Sequence, residues 1–337
     1  MIVILKKNHT NQNLEHILEI AREMGFRSHV SQGIEKTIIG IIGDDSYVSV
    51  DRFENLSYVD KVIKVLKPYK LVSKEFHPQK TVLDLDDGIR IGKGFSIMAG
   101  PCAVESEMLL DEVGAFLKEQ NVPFLRGGAF KPRTSPYAFQ GLGVKGLKIL
   151  RRTAEKYNLK VVTELMSENE AEVVNEYADI IQIGTRNAQN FKLLEKCGTL
   201  NKPILLKRGY MSKIEEFFQS AEYIMANGNP NVILCERGIR TFETATRNTL
   251  DLSVVPYVRE ESHLPIIVDP SHATGKRELV PAMAYAALAA GADGIMVEIH
   301  PDPEKAVSDG RQSLTFAQFE AMTKNLTVLE ETVMRFE

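Results

Sequence analysis

Between residues 95 and 301, hydrophobic and polar positions follow one coarse rhythm. Eight short, near-continuous apolar runs end in chemically active polar residues: FSIMAGPC, VPFLRGG, KVVTEL, DIIQIGTR, PILLKRG, VILCERG, PIIVDPSH and GIMVEIHP. Apolar runs without internal alternation read as strands covered on both faces, as in a parallel sheet. The stretches between them are long enough for helices. They are predicted over 108–119, 144–157, 168–177, 188–196, 213–227, 241–250, 277–289 and 316–334. Eight such units in about 250 residues predict an α/β fold, a closed (β/α)8 TIM barrel with its active site at the C-terminal ends of the strands.

Residues 1–70 keep a different pattern. Short apolar runs at 2–5, 27–31, 37–42 and 59–66 read as strands. Leu14, Ile17, Leu18 and Ala21 sit at helical spacing within 11–24, and 47–56 is a second helix candidate. The order βαββαβ is that of a ferredoxin-like module. It holds no cluster of catalytic residue types, so it reads either as a packing module or as a small-ligand regulatory module. A connection and hairpin follow over 71–94. Alternating apolar residues in TVLDLDDGIRIGKG flank a turn at Asp86-Asp87-Gly88, placed to cap the barrel bottom. The barrel domain then occupies 95–337.

Composition narrows the partners. The 337 residues are 44% hydrophobic and 26% charged with a net charge of −4, so no global basic field favours nucleic acid or an acidic membrane. No run of 18 apolar residues occurs, and MIVILKKNHTNQ lacks a secretory hydrophobic region. The three cysteines, Cys102, Cys197 and Cys235, cannot all pair, and the simplest setting is reducing and cytoplasmic.

The strand ends carry the candidate chemistry. Cys102, His272 and Glu298 end strands one, seven and eight, which become neighbours when a barrel closes, and Asp309 in the next loop reaches the same place. One thiol, one imidazole and two carboxylates form a mixed donor set for a divalent first-row ion, which acts as a Lewis acid. A basic set, Arg126, Lys131, Arg133, Arg186, Lys207, Arg208 and Arg237, falls at or just past strand ends. So many cations around one mouth repel one another unless an anion offsets them, which points to substrates bearing phosphates and carboxylates. In LRGGAFKPRTSPY, two glycines admit a ligand to the backbone and two prolines stiffen the loop. Lys131, Arg133, Thr134 and Ser135 then form a phosphate clamp. GLGVKG (141–146) matches a dinucleotide fingerprint formally but follows no strand. Cys235 reads as core, and Cys197 has no evident acid–base partner.

The motifs AGPC, LRGGAFKPRTSP, QIGTRNAQNF, LLKRG, CERGIRTF, VDPSHATG and VEIHP followed by SDGRQSL resemble those of 3-deoxy-D-arabino-heptulosonate 7-phosphate (DAHP) synthases. The resemblance covers essentially the whole chain and is nearest the type Iβ subfamily with an N-terminal ferredoxin-like regulatory domain. It implies the first step of the shikimate pathway, in which phosphoenolpyruvate condenses with erythrose 4-phosphate and water to give DAHP and phosphate. It further implies one divalent metal ion per subunit (Mn²⁺, Fe²⁺, Zn²⁺ or Co²⁺) held by Cys102, His272, Glu298 and Asp309. Arg126, Lys131, Arg186, Lys207 and Arg237 would hold phosphoenolpyruvate, and Arg133, Thr134 and Ser135 the aldose phosphate. Lys131 or a metal-bound water is the candidate proton donor, and Glu164 and His272 are the candidates for activating water. Tyrosine or phenylalanine inhibition through the N-terminal module and a homotetramer are also implied.

Three other readings stand beside this one. A 3-deoxy-D-manno-octulosonate 8-phosphate synthase shares fold and chemistry but uses arabinose 5-phosphate, and KPRTS favours the four-carbon sugar. A Schiff-base aldolase would use Lys207 but leaves the metal donors unexplained. A non-catalytic sensor is opposed by the intact site residues.

Overall fold

The structure is a computed structural model that describes residues 1–33, 36–43, 49–63, 68–131, 135 and 137–333. Two compact units divide the chain: Met1–Gln79 with Glu261–His263, and Lys80–Glu260 with Leu264–Glu337.

In the first unit the elements run β1 (Ile2–Leu5), α1 (Asn11–Glu23), β2 (Arg27–Gln32), β3 (Thr37–Ile42), α2 (Asp51–Glu54) and β4 (Val59–Ile63). The sheet order is β2-β3-β1-β4, with every pairing antiparallel. This is the ferredoxin-like arrangement that the apolar rhythm predicts. Helix α1 begins where Thr10 and Asn13 cap one another reciprocally. Its Leu14, Ile17 and Ala21 join Val3, Leu5, Ile39 and Ile41 in one core. The second helix is a single turn, shorter than the expected 47–56. Asn55 ends it, and residues 44–48 lie outside the described ones, as does the end of the predicted last strand at 64–66.

The second unit opens with a hairpin, β5 (Leu83–Asp84) paired antiparallel with β6 (Arg90–Ile91). Its turn needs three successive residues in the left-handed region, Asp86, Asp87 and Gly88, and Asp and Gly are residue types that tolerate it. Leu83, Leu85 and Ile91 pack in one cluster with Met98, Phe124, Val162, Ile180, Leu205 and Met296 from the barrel strands.

The barrel strands are β7 (Ser96–Gly100), β8 (Phe124–Arg126), β9 (Lys160–Leu165), β10 (Ile180–Ile183), β11 (Ile204–Lys207), β12 (Val232–Glu236), β13 (Ile266–Val268) and β14 (Gly294–Glu298). All eight pair in parallel with their chain neighbours, and β14 closes onto β7. The closed (β/α)8 barrel agrees with the sequence. Around it lie α3 (Glu107–Glu119), α4 (Val144–Tyr157), α5 (Ala171–Tyr177), α6 (Phe191–Gly198), α7 (Ile214–Ala226), α8 (Val254–Glu261), α9 (Pro270–Thr274), α10 (Val280–Ala289) and α11 (Phe316–Val333).

One predicted helix is wrong. Residues 241–250 form an irregular loop, and the helix after β12 is α8. Polar side chains there bond their own neighbouring backbone. Thr241 Oγ1 accepts from the Glu243 N–H, and the Glu243 carboxylate accepts from the Thr244 and Ala245 N–H groups. Such local bonds compete with the helical ladder. The loop is pinned instead by an antiparallel bridge between Ile239 and Thr249.

Candidate active site

Because every strand is parallel, the polar residues that end them emerge on one face. Gly100 ends β7 at φ +154°, where a Cβ would lie 2.0 Å from the Arg126 carbonyl oxygen. Only glycine lets the chain cross so close to β8. The crossing carries Pro101 and Cys102 over the neighbouring strand end. The Arg126 guanidinium donates to the Pro101 carbonyl at 2.8 Å and pairs with Glu298 Oε1 at 3.0 Å.

Among the described residues, donor atoms of Cys102, Glu298 and Asp309 lie within 4.8 Å of one another. His272 stands beside this group, with Nε2 3.3 Å from Glu298 Oε1. Three of the four expected donors therefore meet, and His272 adjoins them through Glu298. A thiol, an imidazole and two carboxylates, all oriented inward, suit a divalent first-row ion by donor chemistry. Other side chains hold these donors in place. Ser308 Oγ and Asp309 Oδ2 lie 3.0 and 3.3 Å from Cys102 Sγ, and Gln312 donates to Glu298 Oε2 at 2.7 Å. The Glu298 backbone N–H donates to Ser271 Oγ. Asp309 itself adopts a left-handed conformation, φ +50°.

Charge sets the state of each donor. Burial, with Glu298 adding to it, pushes the Cys102 thiol up to about 12, and Lys131 and Arg126 oppose the rise. Burial alone would raise the Glu298 carboxyl, but His272 and Arg126 hold it below the ordinary range. Asp309 is likewise held down against burial by His272 and Arg247. Burial lowers His272, which leaves it neutral more readily, while Asp269 and Glu298 pull the other way.

The cations gather around a cleft, partly open to solvent, lined by Lys131, Glu164, Arg186, Lys207, Arg237 and His272 among others. Lys131 is buried and donates to Cys102 through both the carbonyl oxygen, 2.9 Å, and Sγ, 3.1 Å. Arg186 is exposed on the rim. Arg237 is almost wholly buried, donates to the Gly238 and His272 carbonyls, and lies over the Tyr210 ring at 4.9 Å. The Glu164 carboxylate covers Gly184 so closely that a Cβ there would meet Oε1 at 1.9 Å. Ser135 is exposed, and Arg133 and Thr134 lie outside the described residues.

Arg208 does not belong to this set. Its guanidinium turns inward to Glu236 at 3.0 Å and Asp251 at 2.9 Å, and binds the Ser212 carbonyl. Residue type alone could not separate it from Lys207, because adjacent residues on a strand point to opposite sides. Other residues at the site went unread. Asp269, fully buried at the end of β13, accepts from Lys207 Nζ and from His272 Nδ1. The strand-end rule that selected His272 could have found it. Arg247, 3.6 Å from Asp309, was hidden by the mistaken helix over 241–250. Tyr210, Gln182 and Gln312 gave no sequence signal.

A closed parallel barrel whose strand ends converge on one polar cleft defines a (β/α)8-barrel enzyme. The chain belongs to the DAHP synthetase I family, whose pattern matches residues 79–335, and it carries the DAHP synthase ferredoxin-like domain over residues 1–67. It is 58% identical to the phospho-2-dehydro-3-deoxyheptonate aldolase of Thermotoga maritima over 99% of this chain and 98% of that protein. A crystal structure of a Thermotoga maritima phospho-2-dehydro-3-deoxyheptonate aldolase (DAHP synthase) superposes with a TM-score of 0.79 at 57% identity, covering 98% of this chain and 97% of that one. A 2-dehydro-3-deoxyphosphooctonate aldolase of Legionella pneumophila is 28% identical over 73% of this chain and 95% of its own length. Among the described residues no helix is long and apolar enough to cross a membrane.

Proposed function

We propose that the chain condenses phosphoenolpyruvate with erythrose 4-phosphate and water, giving DAHP and inorganic phosphate, with one divalent cation bound per subunit. The observation that carries this reading is the convergence of the Cys102, Glu298 and Asp309 donors, with His272 and Arg126 paired to Glu298, beside a cleft lined by the Lys131, Lys207 and Arg237 cations. The much higher identity to the heptonate aldolase than to the octonate aldolase favours the four-carbon aldose.

A divalent cation bound by Cys102, His272, Glu298 and Asp309 supplies Lewis acidity to an aldehyde oxygen. The chain's own residues do the rest. Arg126, Arg186, Lys207 and Arg237 fix the carboxylate and phosphate of phosphoenolpyruvate and aim its C3 at the aldehyde carbon. Lys131 Nζ delivers a proton to the aldehyde oxygen as the C–C bond forms. The enol carbon becomes electron-poor and takes up water, whose proton passes to Glu164, because His272 is committed through Nδ1 to Asp269 and through its other nitrogen to the metal donor set. The C–O bond to phosphate then breaks as the new hydroxyl passes its proton to the departing phosphate and becomes the product carbonyl, and the same cations receive that anion. A Schiff base on Lys207 is disfavoured, because that amine is engaged by the Asp269 carboxylate. Arg133, Thr134 and Ser135 hold the aldose phosphate, and the ferredoxin-like unit takes tyrosine or phenylalanine as a feedback inhibitor of a homotetramer.

The deciding assay is phosphate release from phosphoenolpyruvate with erythrose 4-phosphate or arabinose 5-phosphate, in EDTA and with Mn²⁺ restored. Release with the four-carbon sugar alone, lost in EDTA and recovered with metal, is expected. Preference for the five-carbon sugar, or turnover indifferent to EDTA, would refute the assignment.

A further inference from the structure

We propose that Asp269 is a positioning residue that couples the two halves of the site, fixing Lys207 for the anionic substrate and His272 for the metal with one carboxylate. The substrate half rests on the reaction proposed above. Asp269 directly follows β13, caps the start of α9 and has no exposed surface. Its Oδ2 accepts from His272 Nδ1 at 2.7 Å and from Lys207 Nζ, and its Oδ1 accepts from the His272 backbone N–H at 2.9 Å. Lys207 ends β11, two strands away around the barrel.

The geometry has two consequences. With Nδ1 committed to Asp269, Nε2 is the nitrogen left to serve a cation, and it lies 3.3 Å from Glu298 Oε1, another donor of the same set. The two bonds to His272, one to the ring and one to the backbone, hold the imidazole plane against rotation. On the other side, a flexible four-carbon stem is anchored at its tip, so Lys207 presents its remaining N–H bonds to the cleft from a fixed point. Lys207 and His272 approach Asp269 from different strands. Removing its charge therefore loosens both together, and neither partner has another carboxylate bond among the described contacts of comparable burial except His272 with Glu298.

The test uses the full-length protein stripped of metal. Co²⁺ is titrated while the near-ultraviolet charge-transfer band of the Cys102 thiolate is followed, and phosphoenolpyruvate is titrated separately by calorimetry. For Asp269→Asn the Co²⁺ dissociation constant is expected to rise about 10–100-fold. That for phosphoenolpyruvate should rise about tenfold or more. A rise below threefold in either constant overturns the coupling. A purely structural Asp269 would lower the melting temperature and leave both constants of the folded protein unchanged.

Because a buried charge pair is broken, Asp269→Asn can fail to fold. Nitrogen-15 NMR of histidine-labelled wild type saturated with Zn²⁺, with the His272 signal assigned by its loss in His272→Gln, then decides. A protonated Nδ1 with an unprotonated Nε2 is expected, and the opposite tautomer overturns the proposal. Wild-type protein that takes up Co²⁺ but no phosphoenolpyruvate would overturn the reaction proposed above and leave the His272 half standing, so the two failures are distinguishable.

Discussion

Cys102 is a poor ligand while it keeps its proton. Burial pushes its thiol up to about 12, so at neutral pH a cation must displace that proton to gain a sulfur bond. Affinity for a thiophilic divalent ion should therefore climb with pH, by up to about tenfold per pH unit for the one proton released. Cys102→Ala should abolish both that slope and the cobalt charge-transfer band, measured by Co²⁺ titration at several pH values. Wild-type affinity in the variant would remove Cys102 from the donor set. Residue type and strand-end position were enough to nominate the four donors. They were not enough to tell Lys207 from Arg208, because the facing of adjacent residues is decided by the register of the closed barrel.

At the scale of elements, the Arg208 pairs tie the end of β11 to the end of β12 and to the loop that leads into α8. Glu236 also accepts from the Gly238 N–H at 2.5 Å, so this network braces the backbone on both sides of Arg237. Burial raises the Glu236 carboxyl, with Arg208 as the main opposing influence. Arg208→Met should cost about 3–5 kcal/mol, because it strands a buried carboxylate. Arg208→Met combined with Glu236→Gln should recover part of that loss, a non-additive result readable in urea unfolding. Equal or greater destabilisation in the double variant would show that the network is not what braces the loop. The same loop is where the helix expectation failed. Its threonines and Glu243 satisfy local N–H groups, and periodicity carries no information about such bonds.

At the scale of the molecule, each unit has its own apolar core, one around Ile17, Ile39 and Phe53, the other around Phe124, Leu205 and Met296. Deleting residues 1–70 should then leave a folded barrel that still condenses substrates and no longer responds to tyrosine or phenylalanine. Inhibition retained in the truncated enzyme would place the effector elsewhere. Acid should weaken the first unit through His263. Burial lowers its imidazole to about 4, and its Nε2 donates to the Leu71 carbonyl at 2.7 Å. The unfolded chain takes up this proton near pH 6.5 while the native one resists it to about 4, so the stabilisation is complete above 6.5. It is lost as pH falls between these values, by about 3 kcal/mol in all. Urea unfolding from pH 7.5 to 4 should show that slope, and His263→Gln should flatten it. An unchanged slope in the variant would assign the acid sensitivity to other groups.

The amino-acid sequence by itself determined the two kinds of architecture, since a period of two or of unbroken apolar runs, set against helical spacing, fixes which elements can bury their apolar faces. It also determined that Cys102, His272, Glu298, Asp309 and a set of cations would share one face, because parallel strands send all their C-terminal ends the same way. Only the tertiary structure decided which cations turn toward the cleft and which, like Arg208, turn to buried carboxylates. It alone brought Lys207 and His272 onto Asp269, residues that lie 62 and 3 positions away from it in the chain. Side-chain direction and partner choice depend on strand register and on closure of the barrel, and those are set by contacts between residues far apart in sequence.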